Sequence, residues 1–369
     1  MNPVIKVKTS RSHQYPIFIG LDLDEHIAST IPSLIQCDRG FLIVDENVHK
    51  HHSKRIDQLL ATLFKSYEFI IIAEGEQSKS TSQLLRIIDF LLENGIKRVN
   101  PIVVIGGGVV GDLAGFAASI ALRGVPFIQL PTTLLSMVDS SVGGKTGINH
   151  TTGKNLIGSF YQPEAVIIDL SYLASLPKRE WASGLGEIIK YAAISDQNLF
   201  DEVLDLLEKS VSPDDLRWIP IINKCVQIKA DIVQEDELES GIRSFLNFGH
   251  TFAHAIERAL NYSGILHGEA VFLGMIAATH LSNLSGSSLD INRLMTFNKY
   301  LNIKWPHEIV DLDHLIQLMK FDKKNTDDAI TFILLDQWAK PIKKNILNTD
   351  IVKQALLMTM TDTKDECLQ

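Results

Sequence analysis

Residues 101–122, PIVVIGGGVVGDLAGFAASIAL, form a long apolar stretch whose only charge is Asp112. A stretch of that length can cross a bilayer as a helix. Gly106, Gly107, Gly108 and Gly111 sit in its middle, however, and clustered glycines punctuate a helix rather than extend it. The better reading is a buried strand, a tight turn and a buried helix. Both apolar segments then need covering by other elements, which points to the interior of a layered α/β protein.

The flanking sequence supplies the covering elements. FLIVDE (41–46), FIIIA (69–73), PIVVIGG (101–107), PFIQLP (126–131) and AVIIDL (165–170) are short β-branched runs, and amphipathic stretches such as Ser82 to Glu93 separate them. That alternation predicts a mostly parallel sheet with helices on both faces. The N-terminus, MNPVIKVKTSRSHQYPIFIG, alternates apolar and polar residues and reads as a further strand, without the apolar core of a signal peptide. Beyond Leu176 the pattern becomes helical over Gly184–Leu207, Leu216–Gln234, His250–Leu260 and His267–Leu284, with ITFILL (330–335) as an exception. Two domains are expected, residues 1–177 as an α/β domain and 178–369 as a mainly α-helical one, with the ligand site in the cleft between them.

Composition narrows the function classes. A net charge of −9 argues against a general nucleic-acid or anionic-membrane surface. Cys37, Cys225 and Cys367 are far apart and form no CxxC pair, so no disulfide or thiolate-metal framework is expected and a reducing cytoplasm fits.

Three groups of residues can carry chemistry. The first is IGGGVVGD (105–112), a strand–glycine–helix turn whose backbone N–H groups and helix N-terminus suit a pyrophosphate. It does not match GxGxxG, and a tight turn without ligand would look similar. Asp45, Asn47, Glu76 and Lys79 follow neighbouring strands, where a doubly wound sheet binds nucleotides, although each alone could be a helix cap. The second group is His250 and His254 in GHTFAH, His267 in LHGEAV and Glu187 in GLGEIIKY, with Lys190 one turn after Glu187. Two imidazoles and one carboxylate would leave a position open on a catalytic Zn²⁺, whereas a Glu–Lys pair could be a simple ion pair. The third is residues 131–163, where Asp139, Lys145, Asn149, Lys154 and Asn155 are interspersed with glycines, a composition suited to anion contact. Arg123, Lys229, Arg243 and Lys323 are further cations near predicted element ends.

Taken together, VVIGGGVVGDLAGFAAS, RGVPFIQLPTTLLSMVDSSVGGKTGINH, GKNLIGSFYQP, GLGEIIKY, RSFLNFGHTFAHAIE and HGEAV resemble the 3-dehydroquinate synthase family, in order and most densely over residues 102–275. The resemblance implies a Rossmann-like N-terminal domain and a helical metal- and substrate-binding domain. It implies a divalent metal, Zn or Co, on Glu187, His250 and His267, with His254 facing the substrate. Arg123, Asp139, Lys145, Asn155, Lys229, Arg243 and Asn247 match the family's substrate-binding positions, and Lys323, or Lys324 beside it, is the choice for a further anion contact. NAD would touch Asp45, Asn47, Glu76, Lys79, Gly107, Gly108, Val109, Asp112, Thr132, Thr133, Lys154, Leu173, Ser175 and Leu176. Lys145, Arg243 and His254 join the three metal ligands as the expected catalytic set.

The implied reaction converts 3-deoxy-D-arabino-heptulosonate 7-phosphate to 3-dehydroquinate and phosphate through transient oxidation, elimination, re-reduction and aldol closure, and the resemblance implies a homodimer. Ala253 and Gly186 depart from the family's usual residues, and both are small. The rival reading within the same fold is a metal- and NAD-dependent polyol dehydrogenase resembling glycerol dehydrogenase, which would not need the cation cluster. Cyclases making valiolone or inosose products generally alter the VDSSVGGKTG segment, which is intact here. A non-enzymatic NAD-binding protein would have no use for the full set of ligands.

Overall fold

The computed structural model describes residues 14–35, 37–320 and 329–364. Most of the expected N-terminal strand, Lys323, Lys324 and Cys367 lie outside the described residues. The strands are β1 (Ile17–Gly20), β2 (Arg39–Asp45), β3 (Ser66–Ile72), β4 (Ile102–Gly106), β5 (Phe127–Pro131), β6 (Lys145–His150), β7 (Gly153–Phe160), β8 (Ala165–Asp169), β9 (Ile330–Gln337) and β10 (Lys340–Ile346).

A six-stranded sheet has the order β1-β8-β5-β4-β2-β3, and every pair in it is parallel. The inner strands β4, β5 and β8 are buried along their whole length, as their near-continuous apolar sequences require. The chain places β3 on one side of β2 and then returns to lay β4 on the other. The β2/β4 seam is therefore the point where strand order reverses, the usual location of a ligand in such sheets. Asp45 ends β2 there and lies close to Gly106, whose added Cβ would stand 3.1 Å from that of Asp45. The Gly108–Ile120 helix leaves from the same seam.

The predicted strand–turn–helix over residues 101–122 is present, as β4 and the buried Gly108–Ile120 helix. Residues 131–163, read only as a polar, turn-rich segment, instead contain the antiparallel β6–β7 hairpin, which stands apart from the large sheet. The expected helix over Gly184–Leu207 is two helices, Lys178–Ile194 and Asn198–Glu208. Asp196 separates them by accepting a hydrogen bond from the Asn198 N–H at 3.0 Å, a local competitor of the helical pattern. After β8 the described chain is mainly helical apart from the β9–β10 hairpin.

Two helices form the centre of this second half. Lys178–Ile194 is buried continuously from Ser183 to Ile194, and His267–Leu284 is buried from Gly268 to Ser282 except at Glu269. Helices buried on all sides need neighbours on all sides. Here the neighbours touch backbone to backbone. A Cβ added to Gly268 would lie 1.8 Å from the Ser183 carbonyl oxygen, and one on Gly186 would lie 2.4 Å from that of Gly268. The helix His250–Ala259 meets His267–Leu284 in the same way, with a Cβ on Gly274 reaching 2.1 Å from the Gly249 oxygen. Glu187, His250 and His267 each adjoin one of these glycines in sequence, so the crossings bring them together. The apolar side chains of the helices and of one sheet face, among them Leu134, Met137, Ile188 and Tyr191, form one continuous core.

Gly268→Ala is expected to destabilise the protein by about 3 kcal/mol, because the clash is with backbone that cannot rotate away. Gly153→Ala, whose added Cβ meets only Leu156 Cδ1 at 3.4 Å, should stay within about 0.5 kcal/mol of the parent. Denaturant unfolding of both variants checks this, and equal losses would show that the crossing is not the tight point.

Candidate active site and metal centre

A cavity of about 1650 Å³ runs from the β2/β4 seam to the three crossing helices. Asp45, Asn47, Glu76, Lys79, Gly107, Gly108, Val109, Asp112, Thr132, Thr133, Lys154, Ser175 and Leu176 line its sheet end or its mouth, together with His51, His52 and Tyr172, which the sequence did not single out. Asp139, Lys145, Asn155, Lys229, Arg243, Asn247, His250, His254 and His267 line the remainder. Glu187 is fully buried immediately behind His250 and Lys190. Two expected contacts are not brought to the cavity. Arg123 sits in the turn Ala121–Arg123 at the far end of the Gly108–Ile120 helix and is not in the cavity wall. Leu173 is buried in the core, because the turn Leu170–Ser175 points it inward while Ser175 faces out.

At the sheet end, the Gly108–Ile120 helix starts without a side-chain cap, so its first amides have no side-chain acceptor, and Gly107, Gly108 and Val109 open onto the cavity. Uncapped amides at a helix N-terminus suit the phosphates of a dinucleotide. Lys79 is buried in the cavity lining, where its ammonium donates to Asp112 Oδ2 at 2.7 Å and to Asn155 Oδ1. Asp45 caps the following helix by accepting from the Asn47 and Val48 amides at 2.9 and 3.2 Å. That cap is the local reason an acidic residue ends β2, and it leaves the carboxylate at the seam.

At the helical end, one donor atom each from Glu187, His250 and His267 lies within 4.8 Å of the others. His250 Nε2 stands 3.6 Å, and His267 Nε2 3.7 Å, from the same Glu187 Oε1. Each imidazole uses its other nitrogen elsewhere, His250 Nδ1 towards the Phe248 carbonyl at 3.2 Å and His267 Nδ1 towards Glu257 Oε1 at 3.4 Å. A ring that donates from Nδ1 presents a lone pair at Nε2, which is what a metal ligand needs. Neither oxygen of the buried Glu187 carboxylate receives a hydrogen bond of proper geometry, although the Lys190 ammonium is in ion-pair contact with Oε2. Burial, with Lys190 nearby, holds His250 well below the ordinary histidine value, so its ring is neutral. For His267 burial acts in the same direction, but Glu257 and Glu187 together outweigh it and raise the value. The residues present therefore fit a divalent ion with a position left open.

Between the two ends lies a group of cations, buried at Lys190, Lys229 and Arg243 and exposed at Lys145. Lys229 donates to Asp139 Oδ1 at 2.8 Å, Tyr191 OH donates to the same oxygen at 2.8 Å, and Lys190 Nζ is 3.9 Å from it. Burial would raise Asp139, but Lys229 and Lys190 hold it well below the usual carboxylate range. Lys145 pairs with Glu239 at 2.6 Å and Asn247 donates to the other oxygen of that carboxylate at 2.8 Å. Arg243 is 1% exposed and donates to the carbonyls of Gly143, at 3.0 Å, and Glu237. Sequence reasoning treated Lys190 only as a possible ion-pair partner of Glu187 and passed over Glu257 and Glu239. The signals were available for two of them: Lys190 is i+3 from Glu187, and Glu257 is i+7 from His250.

Models of the 3-dehydroquinate synthase family match residues 69–183 with the N-terminal part and residues 184–325 with the C-terminal part. The chain belongs to this family. A 3-dehydroquinate synthase from Salinibacter ruber is 44% identical over 87% of this chain and 92% of its own length. One from Neisseria meningitidis serogroup B is 40% identical over 94% and 96%. Among solved structures, a 2-epi-5-epi-valiolone synthase from Streptomyces hygroscopicus with NAD⁺ and Zn²⁺ bound superposes with a TM-score of 0.87 at 25% identity, covering 97% of this chain and 99% of its own. A 2-deoxy-scyllo-inosose synthase complexed with carbaglucose-6-phosphate, NAD⁺ and Co²⁺ gives 0.81 at 28%, covering 92% and 95%. A probable glycerol dehydrogenase from Sinorhizobium meliloti, at 15% identity and a TM-score of 0.62 over 98% of this chain and 100% of its own, shares the fold. Family membership and the expected α/β-plus-helical fold agree with the sequence reading.

Lys190 is the counter-charge of a fully buried carboxylate. Lys190→Met should cost the metal-free protein about 3–5 kcal/mol, since it leaves Glu187 uncompensated, and adding Glu187→Gln should return part of that loss. Unfolding in the presence of chelator measures both, and a Lys190→Met protein as stable as the parent would remove Lys190 from this role.

Proposed function

We propose that the chain is a 3-dehydroquinate synthase that converts 3-deoxy-D-arabino-heptulosonate 7-phosphate to 3-dehydroquinate and phosphate. The observation that carries the reading is the proximity, in one cavity, of the Glu187–His250–His267 cluster to the cations around Asp139. The family's 40–44% identical relatives support it. A neutral polyol would have no use for Lys145, Lys154, Lys190, Lys229 and Arg243 in one cleft, whereas a substrate bearing both phosphate and carboxylate would.

In this reading Glu187, His250 and His267 hold a divalent metal, which when bound supplies a Lewis acid for a substrate hydroxyl. NAD, lying from Asp45 past Gly107–Val109 towards Lys154, supplies a hydride acceptor that is regenerated within the turnover. The chain's own residues do the rest. Lys145, Lys229, Arg243, Asn155 and Asn247 bind and orient the anionic groups, which fixes the reacting carbons relative to the two ends of the cavity. His254 follows His250 by one helical turn and is exposed to the cavity, so its imidazole can carry a proton to or from the substrate. Lys190 and Lys229 keep Asp139 ionised, and Asp139 in turn keeps both ammonium groups in place. We place the division between the NAD-binding α/β part and the metal- and substrate-binding helical part at residues 177/178. The reading also includes a cytoplasmic homodimer: among the described residues no helix is long and apolar enough to cross a membrane, and Arg123, away from the cavity of its own chain, would have to come from a second copy to reach substrate.

Chelator-stripped protein supplied with NAD⁺, Zn²⁺ or Co²⁺ and the heptulosonate phosphate should release phosphate and form dehydroquinate with no net NADH. Glu187→Gln and His250→Ala should lower kcat/KM on the order of a thousandfold. NADH accumulating with glycerol, and no phosphate release, would instead make the protein a dehydrogenase of the same fold.

A further inference from the structure

Glu257 is an acidic residue that neither binds the substrate-side cations around Asp139 nor belongs to the Glu187–His250–His267 cluster, yet it is 2% exposed. It lies on the helix His250–Ala259 at i+7 from His250 and i+3 from His254, so all three share one face. Its Oε1 makes two contacts. One is with His267 Nδ1 at 3.4 Å, on another helix, and the other is with the Lys154 ammonium at 2.9 Å, on β7 of the hairpin. Lys154 is held from its other side by the ring of Tyr262, 4.7 Å from ammonium to centroid, and the Tyr262 amide donates to the Glu257 carbonyl at 2.7 Å. The carboxylate is thus fixed at both its backbone and its head, and buried where only charged partners justify it.

We propose that Glu257 is a positioning residue for the metal site: it holds His267 in the tautomer that carries its proton on Nδ1, so that Nε2 faces Glu187 as a ligand. This rests on the metal site of the proposed function. The physical case is that a neutral imidazole has one proton for two nitrogens, and a carboxylate beside Nδ1 decides which nitrogen keeps it. His250 has the same service from a backbone carbonyl, which no side-chain change can remove. His267 depends on a side chain. The Lys154 ammonium meets the same carboxylate from the hairpin, and the backbone and burial of Glu257 keep that carboxylate beside His267 when the ion pair is removed. The bland alternative is that Glu257 and Lys154 are only an ion pair fastening the hairpin to the helix.

Co²⁺ affinity, measured on the chelator-stripped full chain without NAD by competition against a chromophoric chelator and by the visible spectrum of bound Co²⁺, separates the two. Glu257→Ala should weaken binding about 10–100-fold, with Glu257→Gln in between because its amide oxygen can still accept. Lys154→Met, which breaks the ion pair but leaves the carboxylate, should change affinity less than about threefold on the same reasoning. Glu257→Ala within threefold of the parent, or Lys154→Met as damaging as Glu257→Ala, would overturn the proposal. If the parent fails to bind Co²⁺, or His267→Ala binds as the parent does, the underlying metal site is wrong instead. Should Glu257→Ala not fold, long-range ¹H–¹⁵N spectra of the metal-free parent decide: the His267 proton on Nδ1 supports the proposal, and on Nε2 it refutes it.

Discussion

Backbone contact between buried helices is the constraint on which the rest depends. The Lys178–Ile194 and His267–Leu284 helices meet at Gly186 and Gly268, and His267–Leu284 meets the start of His250–Ala259 at Gly274 and Gly249. Side chains normally hold helix axes 8–10 Å apart, and removing Cβ atoms at a crossing lets the neighbours of those glycines reach across. Three donor groups from three helices converge for this reason. A single methyl group at a crossing would separate them before it touched any of the donors.

The second organising feature is electrical. The chain is negative overall, yet its cavity gathers lysines, and nearly every one is matched to a carboxylate: Lys79 to Asp112, Lys145 to Glu239, Lys154 to Glu257, Lys190 to Glu187 and Lys229 to Asp139. Buried charges demand such matching. The pairing also pre-orients the ammonium groups, so an incoming anion meets donors that are already placed rather than a flexible cationic surface. Asp139 and Glu187 share Lys190, which links the cation group to the metal ligands through one side chain.

Much of this was legible in the sequence, and the limits have physical causes. The strands β2, β4, β5 and β8 were readable because a strand buried on both faces must be continuously apolar. The metal cluster was readable because imidazoles and carboxylates in the motif positions keep their identity whatever the fold. The β6–β7 hairpin was not, since glycines and lysines along 145–160 mask alternation, and the break at Asp196 was not, since helical periodicity continues across it. Glu257 was passed over although its i+7 spacing from His250 was readable, because a charged residue in a helical pattern reads as solvent-facing, and Glu239 escaped because it lies in a turn whose pairing with Lys145 only tertiary structure creates. Arg123 and Leu173 show the converse: a matching motif position gives an identity but not a direction for the side chain.

The helix crossing also fixes an order of events. The strands of the large sheet are complete at Asp169, whereas the Gly268 amide that donates to Ser183 Oγ lies 85 residues further along than its partner. A chain made from its N-terminus therefore has every strand of the nucleotide-type sheet, and the glycine turn after β4, before the second half of the metal cluster exists. Assembly of the two ends of the cavity is thus staged in time: the dinucleotide end can be built while the metal end is still unmade, and the protein acquires a complete site only when its last buried helix docks.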